Sequence, residues 1–347
     1  MIKQLPNEGR KLKRFFERWG QRGEIRSCYE ASGAGYVLQR HLSEWGYGCD
    51  VVAPSLTPVR PGERRKHDRK DANQLARLYR AGELVTIRIP SAAEERARDL
   101  VRCRQCFQRE ILRSRHYVTK FLARRGFVYR EGKNWTQRHR AWLQRTLRDA
   151  GLEPADRWVF SEYLALLDYK VSRREELDAQ IEKLAFSAQY RARAERLRCF
   201  RGISTIAAMT LITEIGDWRR FERPGQLMAY LGLVPSEHSS GEHEHRGPIT
   251  KAGNSRCRHV LVQAAWSYRS RPATSAELKK RQRGQSPEVV AHTWKAQQHL
   301  YKLYHRIAAK KSSRIAVVAV ARELVGFLWA VMRDLEDNQS TPHSEAA

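Results

Sequence analysis

The hydrophobic pattern of the chain changes character near residue 91. Before that point, short apolar runs alternate with segments of helical spacing, in the order strand–helix–strand–helix–strand, after a first helical stretch over residues 8–20. This alternation predicts an α/β fold with a parallel component, because parallel strands need a connecting helix. The piece is only about ninety residues long, which is small for a complete domain of this kind.

Three apolar runs of this first part have the composition of strands. They are EIRSCYE, which ends at Glu30, CDVVAPS, which stops at Pro54, and LVTIRIP. Between the first two, YVLQRHLSEWGY has helical spacing, and after a polar loop another helix begins at about Asp68, with Leu75 and Leu78 on one face. Glu30 is therefore expected at the edge of the predicted sheet.

Two long and strongly charged stretches of helical spacing follow, over residues 92–125 and 157–195. A Trp- and Arg-rich connection containing GKNWTQRHRAWL joins them. This pattern predicts a helical hairpin or coiled-coil arm. Two separate helices with solvated faces fit the same pattern, and the pattern alone does not choose between them.

The chain becomes more apolar after Leu197. A helix, a tight glycine turn and an apolar helix are predicted first, then a turn-rich segment and helices near 255–271 and 288–310. The run IAVVAVARELVGFLWAVM contains Arg322 and Glu323, which predicts a buried helix rather than a membrane span. We therefore predict an α/β domain over 1–91, a helical arm over 92–196, a mostly helical domain over 197–335 and a frayed, disordered tail over 336–347.

The chain is strongly basic. It has 65 Lys and Arg against 38 Asp and Glu, a formal charge of +27. Such an excess predicts a polyanionic partner, because cations that bind phosphates release counterions. The cations are spread along most of the chain and form no single amphipathic anchor, which favours a nucleic acid over a membrane. The start has no apolar leader, so we expect a bacterial cytoplasmic, nucleoid-associated protein.

Six cysteines make no disulfide framework for a chain of 347 residues. Cys103 and Cys106 form a single CxxC within a helical pattern, without a second pair. Buried or incidental thiols are the simpler interpretation, and a zinc or redox site is the alternative.

The stretch KHDRKDA places Asp68 and Asp71 three residues apart, on one face of a predicted helix. As a helix cap and a first-turn acid, both would stabilise the helix dipole, which is the ordinary reading of such a pair. A hard cation such as Mg²⁺ instead needs carboxylates that converge from separate elements. With Glu30 at a strand end, the three acids are a candidate metal site for phosphoryl transfer.

The blocks CYEASG and VVAPSLTPVRPGERRKHDRKDANQLARLYRAG closely resemble bacterial insertion-sequence transposases of the DEDD class, the insertion-sequence-110 type, also known as bridge-RNA-guided recombinases. The resemblance implies an N-terminal domain of RuvC-like (RNase H-like) fold with Asp, Glu, Asp and Asp as metal ligands. By resemblance, Glu30 is the Glu, and Asp68 and Asp71 are the two late aspartates.

The chain departs from the family pattern at the first Asp. The family carries it on an opening strand, in a pattern like hGIDhSK, whereas the 29 residues before Glu30 contain no Asp. Asp50 is not an obvious substitute. We therefore expect an N-terminally truncated domain, from a remnant copy or a misplaced start, with weakened metal chemistry and an exposed sheet edge.

The block FRGISTIAAMTLITEIGDWRRFERPGQLMAYLGLVP resembles the C-terminal transposase domain of the same family. That domain opens with a helix-hairpin-helix-like element, whose backbone N–H groups can meet a phosphate. The usual PGIG reads Arg201, Gly202, Ile203 and Ser204 here. A glycine turn that only packs two helices together is the alternative.

The loop VPSEHSSGEHEHRGPITKAGN follows, and in this loop the family places a nucleophilic serine directly before a glycine. Ser240 matches, with Ser236 and Ser239 as neighbours. The resemblance implies that Ser240 attacks a DNA phosphate to give a 5′-phosphoserine intermediate. From composition alone, a serine in a Gly/Ser turn is an ordinary solvated loop residue.

Three histidines alternate with glutamates in the same loop, at His238, His243 and His245. A solvated loop is the simpler interpretation, with a metal cluster or proton transfer beside Ser240 as alternatives. Cations near the two motifs are expected nucleic-acid contacts: Arg69, Lys70, Arg201, Arg246, Lys251 and Arg256, together with the backbone of Gly202. The basic run RSRHYVTKFLARRGFVYR has the aromatic interleaving of a strand-binding helix, or of an aromatic core with a cationic exterior.

The resemblance spans about residues 24–335 and implies a DNA transposase of an insertion sequence. Glu30, Asp68 and Asp71 would bind Mg²⁺ and Ser240 would be the nucleophile. The implied partners are DNA, a structured guide RNA and further copies of the chain in a homo-oligomer. Two alternatives remain: a catalytically impaired copy that only binds DNA or RNA, and a metal-only nuclease of the Holliday-junction type that needs no serine.

Overall fold

The computed structural model describes residues 5–58, 68–237 and 246–340. For residues 68–70, 246 and 338–340 the description covers the backbone alone. The chain divides into two compact units, Met1–Ser91 and Ala92–Ala347.

The first unit is an α/β unit with two paired strands. Strands β1 and β2 are parallel, with Cys28 opposite Asp50 and Glu30 opposite Val52. A small core of Phe16, Leu42 and Cys49 lies under two of the helices. The α/β alternation and its parallel component are thus confirmed for the following elements, in chain order: α1 Gly9–Gly20, β1 Arg26–Glu30, α2 Val37–Glu44, β2 Gly48–Val52 and α3 Asp68–Arg80.

The predicted third strand, LVTIRIP, is wrong as a regular strand. Thr86 makes an isolated antiparallel bridge with Val52, and the backbone N–H groups of Ala53 and Ile87 complete it. Val85 is half exposed, and the described backbone of this segment forms no ladder beyond the bridge, so a strand-like composition alone does not make a regular strand here.

Strand β1 pairs with β2 alone among the described residues, so its other edge is open. A two-stranded sheet with an open edge is marginal by itself, and this unit depends on its helices for stability.

The second unit begins with an antiparallel helical arm. Helices α4 Ala92–Ala123 and α6 Pro154–Ala185 pack along each other, and α5 Gln137–Asp149 closes the far end. At that end a local core buries Ile111, Phe121, Phe160 and other apolar side chains. The pattern thus corresponds to a packed hairpin rather than to two separate solvated helices.

The helix predicted to continue to residue 195 is interrupted after Ala185. The Ser187 hydroxyl donates to the carbonyl of Leu184, which is the kind of local hydrogen bond that competes with a helix. After the turn that follows, the Tyr190 side chain packs into the large hydrophobic core of the second unit, where it is 2% exposed. A separate short helix, α7 Arg191–Arg198, then starts.

The remaining helices surround one large core. Helix α13 is its centre, since Val317, Val320, Leu324 and Leu328 are almost fully buried. The prediction of a buried helix there is confirmed, although α13 extends five residues into the predicted tail. The elements after α7 are, in chain order: α8 Thr205–Ile215, α9 Pro224–Tyr230, β3 Pro235–Glu237, β4 Arg246–Ile249, α10 Ser255–Ala265, α11 Ala276–Gln282, α12 Pro287–Ala308 and α13 Ser313–Ser340.

Length and composition alone would let one described helix, Ser313–Asp337, cross a membrane. Half of its most apolar window is buried inside the unit, as expected of a core helix.

Candidate active site

Side chains alternate between the two faces of a sheet, and this alternation decides on which face each carboxylate of the first unit lies. Tyr29 and Cys49 pack on the side of α1 and α2, whereas Cys28 and Asp50 line a cavity of about 700 Å³ beneath α3. Since side chains alternate along a strand, Glu30 shares the α3 side with Cys28. Glu30 is the last residue of β1 and is exposed.

Helix α3 begins near the carboxyl ends of strands β1 and β2. Gln74 donates from Nε2 to the carbonyl of Pro58, which lies beyond the end of β2, at 3.0 Å. One and a half turns later, the Tyr79 hydroxyl donates to Asp50 Oδ2, in the middle of β2, at 2.6 Å. The first turn of α3 therefore lies towards the edge where β1 ends.

The axial distances agree with this placement. Asp71 precedes Tyr79 by about 12 Å along a helix, and Glu30 follows the level of Cys28 and Asp50 by about 7 Å along a strand. Both distances run in the same direction, from the middle of the sheet to its carboxyl edge. Glu30 and Asp71 are thus brought to one edge and one side of the sheet.

Oxygen donors at such an edge fit a hard cation. Asp71 is exposed in the first turn of α3, and Asp68 begins that helix, although its side chain lies outside the description. Among the side chains that are described, no three His, Cys, Asp or Glu converge as metal ligands do. The pair Glu30 and Asp71 supplies carboxylates from two separate elements, which is the donor chemistry that Mg²⁺ prefers.

Asp50 lies on the same side of the sheet but has a different partner. Burial, followed by the hydrogen bond to Asp50, raises the pKa of Tyr79 to about 12. Burial also raises the pKa of the Cys28 thiol to about 11. Both groups are therefore neutral near pH 7, and Tyr79 holds Asp50 towards the middle of the sheet, away from the edge at which Glu30 ends.

The loop that carries the expected serine is fixed at its base by two glycines. A Cβ atom on Gly232 would lie 2.0 Å from the Ala252 carbonyl oxygen, and one on Gly253 would lie 1.9 Å from that of Tyr230. Both glycines also have positive φ angles, of 64° and 76°. Only glycine permits this close approach of the two chain segments.

A short antiparallel hairpin, β3 and β4, continues outward from this base. The Ser236 hydroxyl donates to the carbonyl of Pro248 at 3.1 Å, so Ser236 is held by the hairpin itself. Ser239 and Ser240 lie outside the described residues, as do His238, His243 and His245. The structure therefore places the two ends of the loop and leaves Ser240 a prediction.

A buried carboxylate that the sequence did not single out ties the arm to this hairpin base. Glu214 is almost fully buried. Its carboxylate accepts two hydrogen bonds from Arg102 of α4, from Nε at 2.7 Å and from Nη2 at 2.9 Å. Asn254 donates to Glu214 from Nδ2 and caps α10 with its Oδ1, next to Gly253. The only sequence signal for this contact was a charged residue within an apolar helix.

The charge of Glu214 is well compensated. Burial by itself raises the pKa of a carboxyl group, but the hydrogen bonds from Arg102 and Asn254 outweigh it and leave the pKa of Glu214 lowered. Arg256 belongs to the same network, with Nε 3.5 Å from Glu214 and Nη1 donating to Gln105. Its guanidinium is therefore engaged within the protein.

The helix–turn–helix formed by α7 and α8 has the predicted glycine turn. Gly202 has a φ of 84° and packs against the Ala264 carbonyl, from which a Cβ would be 2.6 Å away. The Arg201 guanidinium donates to the carbonyls of Ser270 and Arg271. The turn thus packs two helices together, and contact of Arg201 or Gly202 with nucleic acid stays a prediction.

The other predicted cations are placed only in part. Lys251 is exposed beside the hairpin base, with a positive φ of 55°. The side chains of Arg69, Lys70 and Arg246 lie outside the description. Cys103 and Cys106 are exposed free thiols on α4.

Comparison with known proteins adds independent information. Residues 194–280 match the family described as “Transposase IS116/IS110/IS902 family”. Over 314 residues the chain is 41% identical to “Putative transposase y4qE” of Sinorhizobium fredii (strain NBRC 101917 / NGR234), covering 90% of this chain and 76% of that protein.

Two further relatives are more distant. The chain is 29% identical to “Transposase for insertion sequence element IS1533” of Leptospira borgpetersenii, over 83% of each chain. It is 24% identical to “Transposase for insertion sequence element IS1111A” of Coxiella burnetii, over 68% of this chain and 64% of that protein.

Proposed function

The chain belongs to the IS116/IS110/IS902 family of transposases, and from that premise we propose how it cuts and rejoins DNA. Ser240 is the nucleophile that attacks a DNA phosphate. Glu30, Asp68 and Asp71 form an acidic edge that binds Mg²⁺. The active form is a homo-oligomer guided by a structured RNA.

The acidic edge is the observation that carries this proposal. Strand alternation puts Glu30 on the side of α3, and the contacts of Gln74 and Tyr79 make α3 begin at the edge where β1 ends. Capping alone explains Asp68 and Asp71, but it does not explain why an exposed strand-end glutamate shares their edge. The resemblance to RuvC-like domains, which gather acids from strands and a helix, favours the same interpretation.

The serine chemistry is a transesterification. The Ser240 Oγ forms a bond to phosphorus while the P–O3′ bond breaks, and the serine proton ends on the departing 3′-hydroxyl. Attack by a 3′-hydroxyl on the phosphoserine then reverses these bonds and rejoins the strand. When bound, Mg²⁺ supplies positive charge that favours an ionised attacking oxygen and stabilises the leaving one. The interlocked Gly232 and Gly253 fix the base of the β3–β4 hairpin, whose two strands lead to Ser240.

The partners follow from charge and family. As a transposase the protein binds DNA, and the formal charge of +27 supplies the counterion-release term for that binding. A guide RNA is a second polyanion that the same excess would serve. This assignment implies a place at the nucleoid in the cytoplasm.

A strand-transfer assay tests the proposal. Element-end DNA, Mg²⁺ and the RNA encoded beside the gene are supplied to the wild type and to Ser240→Ala, Asp71→Asn and Ser236→Ala. We expect Ser240→Ala to lose strand transfer and Asp71→Asn to lose at least about a hundredfold, as catalytic groups do. Ser236→Ala is the matched control, because it removes a hydroxyl of the same loop that is bonded to Pro248.

The same assay distinguishes the two alternative functions, a metal-only nuclease and a protein that only binds nucleic acid. A metal-only nuclease would give cut but unjoined DNA, with cutting retained in Ser240→Ala and lost in Asp71→Asn. A copy that only binds nucleic acid would show no strand transfer in any form, while its binding keeps a steep salt dependence.

A further inference from the structure

A groove in the second unit lies directly beside the hairpin of β3 and β4, which we call the serine hairpin because its two strands lead to Ser240. One wall consists of the hairpin base, with Pro235, Pro248 and Ile249. The opposite wall, called the corner wall, is formed by the last turn of α12, the connection to α13 and the first three turns of α13. The volume of the groove is about 940 Å³, at the upper end of the range for ligand pockets.

The corner wall is strongly cationic. Among the described residues, the charged side chains that line the groove are all basic: Arg306, Lys310, Lys311, Arg314 and Arg322. None of them makes an ion pair with any carboxylate that the structure describes. The Nε atom of Arg322 is also buried without a hydrogen-bond partner. Cations that converge on one groove without a described carboxylate partner indicate an anionic ligand.

The floor of the groove is apolar. Leu233, Ile307 and Val318 line it together with Ile315, which is 51% exposed and lies between Arg314 and the core residue Ala316. Exposing a β-branched apolar side chain within a cationic rim costs hydrophobic free energy unless a ligand covers it.

We propose that this groove holds a single DNA strand next to the serine loop. The sugar-phosphate backbone runs along the cations of the corner wall, and unpaired bases or sugars lie against the apolar floor. The proposal rests on the proposed transposase function, because it specifies where the strand attacked by Ser240 is held. The hairpin that lines the groove is the same one whose ends lead to Ser240.

A single strand fits the lining better than a duplex does. A continuous duplex presents its phosphates outward and keeps its base faces stacked inside, so it would leave Ile315 uncovered. An unpaired strand offers both charges to the rim and flat faces to the floor, the two features that single-strand grooves combine.

Fluorescence anisotropy with the full-length chain tests this assignment. The probes are a labelled single strand with the element-end sequence, the corresponding duplex, RNA of that sequence and an abasic strand of equal length. The groove variants are Lys311→Glu with Arg314→Glu, and Ile315→Ser. The matched control is Lys279→Glu with Lys280→Glu, which makes the same charge change on exposed residues of α11, outside the groove.

We expect the double charge reversal to weaken single-strand binding at least about tenfold and to reduce the salt slope by about 1.4, at about 0.7 per lost phosphate contact. Ile315→Ser should lose about threefold or more on the normal strand and nothing on the abasic strand. The control pair should show a smaller loss with all four probes. Melting curves confirm that each variant is folded.

Three results would overturn the assignment: groove variants that bind the strand like the control, equal losses on duplex and single strand, or losses confined to the RNA. A serine–DNA adduct assay keeps the two claims apart. If the adduct forms on Ser240 while groove variants bind normally, only the groove is wrong. If the variants lose binding but the wild type forms no adduct, the groove stands and the serine mechanism fails.

Discussion

The acidic edge and the serine hairpin differ in the size of the hydrophobic core that each of them packs on. The acidic edge rests on two paired strands, one helix and a core with only three buried side chains, of which Leu42 alone is almost fully buried. The hairpin base is fixed to the largest core of the chain through α8, α10 and α13. We infer that the hairpin is the rigid part of the machinery and that the acidic edge is the part most open to adjustment.

The strongest test of this difference is the glycine interlock. Gly253→Ala brings a Cβ to 1.9 Å from the Tyr230 carbonyl, at a φ of 76°. Backbone must move to relieve this contact, so we expect a loss in the free energy of unfolding above about 3 kcal/mol. Thermal melting followed by circular dichroism measures it.

Gly284→Ala is the control for that substitution. Gly284 has nearly the same φ, 79°, but no atom lies within 4 Å of an added Cβ. Its cost should be the conformational term alone, about 1 kcal/mol. If the two variants melt together, the hairpin base is not held by the interlock.

The next largest effect is expected at the buried Glu214. Arg102→Ala removes its bidentate partner and leaves the carboxylate with Asn254 and Arg256, so we expect a loss of about 2–4 kcal/mol in the free energy of unfolding. Denaturant titration gives the value. Arg113→Ala, on the same helix, breaks only an exposed pair with Glu110 and should cost less than about 0.5 kcal/mol.

A pH-dependent effect is expected at Glu336, in the core of the second unit. Burial raises the pKa of Glu336 to about 7, and the neighbouring Asp217 adds to the rise. The folded state then binds more protons than the unfolded state between about pH 4.5 and 7, so this group lowers stability as the pH rises through that range. The cost is fully present above pH 7.

Glu336→Gln imitates the protonated acid and keeps an acceptor for the Trp218 N–H. We expect it to stabilise the protein by about 1–2 kcal/mol at pH 8 and to have no effect at pH 4. Unfolding curves at both pH values measure this. Asp334→Asn, at an exposed pair with Arg196, should change little at either pH. A destabilised Gln variant at pH 8 would show that Glu336 is held ionised.

The smallest effect is expected in the first unit. Tyr79→Phe removes the hydrogen bond to Asp50 and should cost about 1 kcal/mol. Because this bond lies at the middle of the sheet, Mg²⁺-dependent cleavage should change less than twofold. A large loss of cleavage would mean that Asp50, and not only the carboxyl edge, takes part in the chemistry.

Much of the fold was predictable because local patterns determine it. The spacing of Phe15, Phe16 and Trp19 predicts α1, and the run CDVV predicts β2. The breaks were not predictable from local pattern. The helix stops at Ala185, where the Ser187 hydroxyl bonds to the Leu184 carbonyl, and the segment of Thr86 forms only a bridge despite its strand-like composition.

The site divides in the same way. The glycines of the serine loop are visible in the sequence, but nothing local shows that Gly232 and Gly253 interlock across 21 positions. The Glu214 network joins α4, α8 and α10, so it depends on tertiary packing. Ser240 was identified through resemblance, and it stays a prediction together with Arg69, Lys70 and Arg246.

The most direct test of the account is to trap the covalent intermediate. Wild-type protein is incubated with Mg²⁺, the proposed guide RNA and element-end DNA with a nick that prevents rejoining. The protein–DNA adduct is then digested and sequenced by mass spectrometry. The serine mechanism predicts a nucleotide on Ser240, lost in Ser240→Ala and retained in Ser236→Ala. Cleavage without any adduct, or an adduct on another residue, would contradict it.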